Sequence, residues 1–330
     1  MLNRHFLRAK VLQWLYAFEL NGSTNKEIHK QKLLDSISLI SDLQIYLIAA
    51  FLELHNMAEK IMEENKNKYL PSEEDRNPNL KFINNAFFKL ILEDKTIQKK
   101  MDKLKISFSE EDAIFRNIFK GITKSTAYIN YMKTSKDDFL LDKSLSLNIF
   151  RKWICGNKDI YELIREKHLS WTIDYSTIAV QVLKFFRLVT PESNFEDIDK
   201  DLIDTNYVVT LFSNTIDNDE EYNSLINKRS KNWDMDRVAT MDMIIIKMGI
   251  TELLFCPTIP VNVTLNEYVE LSKEYSTSKS KLFVNGLLDK ITIDLRSKGK
   301  INKDENIEEE FYKDEDENNQ AINYMLNEEK

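Results

Sequence analysis

The fold is decided by residues 233–290, which join several helix signals in one order. They begin Trp233-Asp-Met-Asp-Arg237 and continue in a nearly all-apolar segment. Next come Pro257-Thr-Ile-Pro260 and Val261-Asn-Val-Thr-Leu-Asn-Glu267, and the stretch closes with Lys281-Leu-Phe-Val-Asn-Gly-Leu-Leu-Asp-Lys290. The pattern predicts consecutive apolar helices, and none of its parts is a catalytic signature.

The helix boundaries in this stretch can be predicted from capping residues. Thr264-Leu-Asn-Glu267 has the Thr-x-x-Glu form of a capping box, so a helix should begin at Thr264. Ser278 or Ser280 can cap the next helix. That helix carries an apolar stripe at helical spacing, formed by Phe283, Leu287 and Ile291.

The composition favours an all-α protein. Of 330 residues, 42% are apolar, which is enough for a sizeable core in one large domain or two. Only 6 glycines and 5 prolines leave few tight turns, so long helices with short connections are expected.

Two further features predict a cytoplasmic protein that does not span a membrane. Cys155 and Cys256 form no Cys-x-x-Cys pair and no secretory segment opens the chain, so both are expected to be buried fillers in a reducing compartment. The charge-free apolar run Leu43–Leu52 is about half of the roughly 20 residues that a membrane helix needs. It predicts a core helix.

The negative charge of the chain lies in its C-terminal segment. The net charge is −8, and residues 303–330 contain 11 acids and 3 lysines, so the rest of the chain is neutral overall. We expect residues 301–330 to be an acidic disordered tail, because they are poor in apolar residues and lack a stable period. A nucleic-acid site would have to come from local clusters of basic residues.

An internal repeat and a few breaks predict how the chain is organised. We expect an N-terminal basic helix over 1–20 that packs on the C-terminal module, a helical insertion over 21–190, and a core over 191–300. Two segments agree without a gap at a spacing of 62 residues, unless the agreement is chance. The matched positions are Ile149-Phe150 with Leu211-Phe212, Leu163-Ile164 with Leu225-Ile226, Trp171 with Trp233, and Asp174 with Asp236.

The sequence contains no pattern of an enzyme or of a cofactor site. The four histidines have no metal-ligand spacing to each other or to cysteine, and no glycine-rich phosphate loop is present. We therefore predict a non-enzymatic protein that requires neither a metal nor a cofactor.

The opening helix and residues 205–298 together resemble the NusB family of transcription antitermination factors. The helix has a basic start, Arg4, His5, Arg8 and Lys10, followed by Gln13-Trp-Leu-Tyr-Ala-Phe-Glu-Leu20. The resemblance implies a NusB-like helical bundle with an added helical module. It also implies binding to single-stranded boxA-type RNA of ribosomal RNA transcripts, together with ribosomal protein NusE and the transcription elongation complex.

The resemblance also suggests which residues contact RNA. Phe283 occupies the position whose ring stacks on a base, and Lys279 and Lys281 flank it. Arg4 and Arg8 are four residues apart on one helix face and could meet successive phosphates. His5 and Lys10, in the same basic start, are further candidate RNA contacts.

Other readings of these residues stay open. Tyr16 matches a tyrosine near the RNA path, but Tyr16 and Phe283 also fit a core, and a basic helix face can simply be solvated. Gly286 is expected at a close helix contact. The alternative function is a helical protein-interaction scaffold of the transcription machinery that does not bind RNA.

Overall fold

All regular secondary structure in the described part of the chain is helical, which confirms the all-α prediction. The structure is a computed structural model that describes residues 4–22, 25–136, 138–195, 204–230, 238–277 and 279–303. Trp233 and Asp236 of the repeat, the candidate cap Ser278 and the predicted acidic tail from residue 304 onward lie outside the described residues.

The chain divides into two compact units. Unit 1 comprises residues 1–36 and 201–330, and unit 2 comprises residues 37–200. The helices of unit 1 and the long helix that crosses the division are α1 (Arg4–Leu20), α2 (Lys26–Lys66), α11 (Thr205–Asp217), α12 (Asp219–Arg229), α13 (Thr240–Phe255), α14 (Val261–Tyr275) and α15 (Ser280–Ser297). The other helices of unit 2 are α3 (Glu73–Arg76), α4 (Ala86–Leu92), α5 (Lys95–Lys103), a 3₁₀ turn (Ser109–Glu111), α6 (Asp112–Thr123), α7 (Thr126–Lys133), α8 (Phe139–Ile149) with a π-helical continuation (Phe150–Cys155), α9 (Lys158–Lys167) and α10 (Trp171–Leu188).

The unit boundaries differ from the expected ones, which fall after residues 20 and 190. The first turns of α2 belong to unit 1 because they pack back on α1. Trp14 Nε1 donates to Ser36 Oγ at 3.0 Å, and the rings of Phe18 and His29 meet edge to face at 5.2 Å. The hairpin of α1 and α2 therefore extends the N-terminal part of unit 1 beyond the first helix.

Helix α13 lies at the centre of unit 1. Its residues from Ile244 to Leu253 are all buried, so no face of that segment is exposed. A helix that is apolar all round needs neighbours on every side, and α1, α11, α12, α14 and α15 all contact it. Three ionisable residues are buried on this apolar helix: Asp242, Lys247 and Glu252.

Unit 2 is built around an aromatic core. Phe51 of α2 stacks on Phe88 of α4 with ring centroids 4.2 Å apart, and the rings of Phe87, Phe150 and Phe186 surround the pair. Helix α2 is long and apolar enough to cross a membrane, but 72% of its most apolar window is buried inside the protein. That burial is what a core helix requires.

The ends of the helices in unit 1 confirm some boundary predictions and correct others. Helix α1 ends at Leu20, and Gly22 follows in the left-handed region with φ of 54°. The capping box at Thr264 is wrong: α14 begins at Val261, and the Thr264 hydroxyl donates to the Pro260 carbonyl at 3.2 Å from inside the helix. Glu267 is thereby left to bind other partners.

The close helix contact is at Gly249, not at the predicted Gly286. A Cβ on Gly286 would meet no atom within 4 Å, whereas one on Gly249 would lie 3.0 Å from Leu288 Cδ2 and 3.4 Å from Tyr268 Cδ2. Gly249 therefore allows α13 to approach α14 and α15.

The helices of the two repeat segments follow the predicted correspondence. A shift of 62 residues places α9 on α12 to within one residue at its start, and it aligns α10 with the region that leads into α13. The matched pairs are buried alike, with Phe150 and Phe212 at 0% and Leu163 and Leu225 at 7% and 8% exposure. Both modules present the same face to a core.

Replacing the two glycines with larger residues should have opposite effects. Gly286→Ala should raise the free energy of unfolding by about 0.5–1 kcal/mol, because alanine favours the helix and nothing obstructs its Cβ. Gly249→Val should lower the free energy of unfolding by about 1–3 kcal/mol through overpacking against Leu288. Urea unfolding followed by circular dichroism measures both, and equal effects would contradict the assignment of the contact.

Candidate nucleic-acid interface

Three of the predicted RNA-binding residues of α1, Arg4, His5 and Arg8, lie in or beside a buried ionic cluster in unit 1. The Arg8 guanidinium donates twice to Glu252 of α13, from Nε at 2.8 Å and from Nη2 at 2.9 Å. Its Nη1 donates to Glu267 of α14 at 2.9 Å. Because Arg8 is 2% exposed and Glu252 is fully buried, this is an internal ion pair in bidentate geometry.

Two tyrosines complete the coordination of Glu252. Tyr207 of α11 donates its hydroxyl to Glu252 Oε2 at 2.6 Å, and Tyr268 of α14 donates to the same oxygen at 3.1 Å. Both rings lie beside the Arg8 guanidinium, with their centroids 5.9 Å from it. One carboxylate of the central helix therefore binds side chains from three other helices.

His5 connects this cluster to the surface. Its Nδ1 lies 2.8 Å from Glu267 Oε2, and its Nε2 lies 3.2 Å from Glu274 Oε1. The His5 side chain is 23% exposed and that of Glu274 is 52% exposed. Within a single turn of α1, the side chains therefore change from the buried Arg8 to the half-buried His5.

Burial and charge shift the pKa values in opposite directions across the cluster. Burial alone would raise the pKa of Glu252, but the charge and hydrogen bonds of Arg8 outweigh it and lower that pKa from 4.5 to about 2. Burial alone would lower the pKa of His5, but Glu267 and Glu274 raise it above 6.5. His5 therefore stabilises the folded state fully below about pH 6.5, and this contribution is lost as the pH rises through its raised pKa.

Arg4 and Lys303 lie at the border of the cluster. Arg4 Nη2 is 3.6 Å from Asp204 Oδ2, and the guanidinium lies over the Tyr207 ring. Lys303 Nζ donates to Thr264 Oγ1 at 3.2 Å, and burial lowers the pKa of Lys303 to about 8 although Glu252 raises it. The last described residue of the chain is therefore held close to the ion pair.

Two of the predicted RNA contacts are exposed, and both are at the start of α15. Lys279 and Lys281 are exposed, and Leu282 beside them is 69% exposed. Phe283 is only 5% exposed and belongs to the buried stripe that also contains Leu287 and Ile291. The side chain that points outward here is the leucine.

The structure places three of the predicted RNA contacts away from the surface. Arg8 is 2% exposed, and its three donor nitrogens bind the carboxylates of Glu252 and Glu267. Phe283 is 5% exposed, so its ring lies inside the core. Lys10 is 5% exposed with its ammonium 5.7 Å from the Phe6 ring centroid, so it is not at the surface either. Tyr16 is half-buried on α1.

Three of the remaining candidates, His5, Lys279 and Lys281, are close to the C-terminal end of α14. His5 of α1 reaches Glu274, near the end of that helix. Immediately beyond it, Ser276 and Thr277 are hydrogen-bonded to Ser280 of α15, at 3.0 and 2.8 Å. The starts of α1 and α15 are therefore both attached to this end of α14, and they place Lys279 and Lys281 on the same part of unit 1 as His5.

Sequence reasoning missed the residues that bind Arg8. Glu252 lies in a mainly apolar segment of α13, and a carboxylate there predicts a buried cationic partner. That signal was available in the sequence. No comparable sequence signal marks Tyr207 and Tyr268, because tyrosines on amphipathic helices are common core residues.

The site has no arrangement suited to covalent or metal chemistry in the part of the chain that the structure describes. Among those residues, no group of three or more His, Cys, Asp or Glu could hold a metal ion. Cys256 is buried and Cys155 half-buried, both are unpaired, and burial raises the pKa of each thiol to about 12, so neither is an activated nucleophile.

Comparison with protein families identifies residues 169–292. They match the NusB family and extend from the start of α10 into α15. The match includes Lys279, Lys281 and Phe283, whereas α1 and most of unit 2 lie outside it. No solved structure matches the chain.

Several proteins named transcription antitermination protein NusB are similar to the chain. That of Salinibacter ruber is 37% identical over 106 residues, which cover 32% of this chain and 66% of the relative. That of Chloroherpeton thalassium is 31% identical over 140 residues, 42% and 64% of the two chains, and that of Natranaerobius thermophilus is 40% identical over 85 residues, 26% and 61%. The chain thus matches slightly less than two thirds of each relative and is longer than all three.

Removing Arg8 should destabilise unit 1 strongly. Arg8→Met leaves Glu252 charged and buried without its partner, so the free energy of unfolding should fall by about 3–5 kcal/mol. Arg296→Met, at an exposed arginine of α15, is the matched control and should change the value by less than about 0.5 kcal/mol. Urea unfolding compares the two, and similar small losses would show that the buried pair does not hold the unit together.

The ion pair should also make stability depend on acid. Because the pKa of Glu252 falls from 4.5 to about 2 on folding, its contribution is present above pH 4.5 and is lost as the pH falls towards 2. Glu252→Gln has no such titration, so its free energy of unfolding should change less with pH in this window than that of the parent. Parallel curves for the two proteins, from urea unfolding at several pH values, would refute this assignment.

Proposed function

We propose, from the NusB-family domain that residues 169–292 form, that this protein is a transcription antitermination factor. It binds single-stranded boxA-type sequences of ribosomal RNA transcripts together with ribosomal protein NusE, as part of the transcription elongation complex. It works in the cytoplasm and is not an enzyme. The family match supports the role in antitermination, and the RNA, NusE and the compartment are parts of the proposal.

The observation that supports RNA binding most directly is the exposed pair Lys279 and Lys281 inside the matched domain. Lys279 directly precedes α15, and Lys281 is in its first turn. Both are next to the end of α14 where His5 also lies. Lysine side chains at a surface attract the phosphates of a single strand, and each contact releases a counterion. The exposed Leu282 offers an apolar surface between them.

We assign the α1 residues a smaller part in the interface. The half-buried Arg4 and His5 are paired with Asp204 and with Glu267 and Glu274, so an RNA phosphate would have to compete with those carboxylates. Tyr16 is half-buried further along the same helix. Arg8, Lys10 and Phe283 support the interface from inside the unit.

A second function, a protein-interaction scaffold without RNA binding, is favoured by the burial of Arg8 and Phe283. These two residues carried most of the predicted RNA contact, and neither is available at the surface. A scaffold would keep the fold and bind only proteins of the transcription machinery.

RNA binding can be measured by fluorescence anisotropy with a short labelled boxA-like strand at several salt concentrations. The doubly substituted Lys279→Glu, Lys281→Glu chain should bind more weakly. Its log-log salt slope should be smaller by about 1.4, because each phosphate contact of a single strand contributes roughly 0.7. The matched control is Lys99→Glu, Lys103→Glu on α5, which reverses two exposed lysines of unit 2 and should bind like the parent.

The same assay with purified NusE separates the two functions. The proposal expects NusE to tighten RNA binding by the parent chain. A salt slope near zero for the parent, with NusE still bound, would instead establish the scaffold. Equal weakening by both lysine pairs would show nonspecific attraction and reject the proposed interface.

A further inference from the structure

A groove runs along the surface of unit 2 between α8 and α10, apart from the proposed RNA interface. Its volume is about 360 Å³. The wall formed by α8 and its π-helical continuation presents Leu140, Lys143, Leu147 and Arg151, and the α10 wall presents Leu183 and Arg187. The groove therefore combines an apolar floor with three cations.

The lining residues of α8 form one continuous face. Leu140, Lys143, Leu147 and Arg151 follow each other at intervals of three and four residues, which is the spacing of a single helix side. From the first to the last they span about 16 Å, or three helical turns. Apolar and cationic side chains alternate along that length.

One cation of the groove, Arg187, is exposed and is not neutralised by the walls. No carboxylate lines the groove, and the Arg187 side chain forms no hydrogen bond or ion pair with any described residue. Lys143 has a structural role, because its ammonium donates to the carbonyl oxygens of Arg187 and of Val189 at the end of α10. Leu140 and Leu188 beside the groove are 69% and 79% exposed.

The internal repeat shows what kind of element covers the corresponding face in unit 1. A shift of 62 residues places Leu183 on Ile245 and Arg187 on Gly249 of α13. Ile245 is fully buried, and Gly249 lies against Leu288 of α15 and Tyr268 of α14. In unit 1 both positions are thus covered by helices. In unit 2 Leu183 is also buried, at 2% exposure, but an exposed arginine takes the place of the glycine.

We propose that the α8–α10 groove is a docking site for an acidic amphipathic helix of a partner protein. The helix places apolar side chains against Leu140 and Leu147, and it places carboxylates within reach of Arg187. Binding of an apolar helix face in a groove between helices, with flanking opposite charges that set its direction, is an established mode of recognition. This proposal does not depend on RNA binding by unit 1.

A nucleic acid suits the groove less well than a helix does. Single strands are held by cations together with aromatic rings on which the bases stack, and no aromatic residue lines this groove. The exposed leucines would stay uncovered by a phosphate backbone but would be buried by an apolar helix face. The lining therefore favours a peptide.

The test uses the full chain and a fluorescein-labelled helical peptide with leucines seven residues apart and glutamates between them. Two matched peptides carry glutamine for the glutamates or alanine for the leucines. The acidic, leucine-containing peptide should bind, and each matched peptide should bind at least about fivefold more weakly, because charge and apolar contact both contribute. A peptide that binds as well without its leucines would overturn the proposal.

Variants of the chain locate the site. Arg187→Glu and Leu140→Asp change exposed side chains and should each weaken the acidic peptide by at least about fivefold. Lys99→Glu and Leu70→Asp are the controls, an exposed lysine and an exposed leucine elsewhere in unit 2, and should leave binding unchanged. Circular dichroism verifies that all four variants are folded.

Two other outcomes would replace the proposal. If a labelled single-stranded RNA competes with the peptide and loses affinity in Arg187→Glu but not in Leu140→Asp, the groove is a nucleic-acid site. If the parent chain dimerises, Leu140→Asp makes it monomeric and no peptide binds, the occupant is a second copy of the chain.

Discussion

The fold of unit 1 depends on the burial of one carboxylate. Glu252 lies on the central helix α13 with no exposed surface, and a charge in that position is tolerated only when it is neutralised and fully hydrogen-bonded. Arg8, Tyr207 and Tyr268 meet that requirement from α1, α11 and α14. Any packing that moved one of these helices away would leave the carboxylate unsatisfied, so the charge restricts how the helices can be arranged.

The same constraint explains why much of the fold could be predicted from sequence and the site could not. Helix periods depend on residues a few positions apart, which is why the end of α1 at Leu20 was predicted closely. The partner of Arg8 is 244 residues away. A basic helix start looks identical in sequence whether its arginine faces solvent or a buried glutamate.

The errors at Thr264 and Gly286 have the same origin. Thr264 and Glu267 have the spacing of a capping box, but Pro260 lets the helix start earlier, and Glu267 binds Arg8 and His5 instead. The sequence around Gly286 predicts a close helix contact, but Gly286 lies on the outer side of α15. The close approach of α13 to α14 and α15 is at Gly249. A local sequence pattern indicates a role for a residue, and the tertiary contacts determine whether the residue has that role.

For the proposed RNA binding, the burial of Arg8 and Phe283 changes which forces are available at this surface. With the ring inside and the guanidinium neutralised, the exposed chemistry at the start of α15 consists of Lys279, Lys281 and Leu282. Lysines bind phosphates as point charges and distinguish bases poorly, so attraction at this face is strong in low salt and weakly selective. Selectivity for one RNA sequence then has to come from a second surface that contacts base edges. A partner bound beside the lysines would supply such a surface, which gives a physical reason for an RNA-binding factor of this kind to act together with another protein.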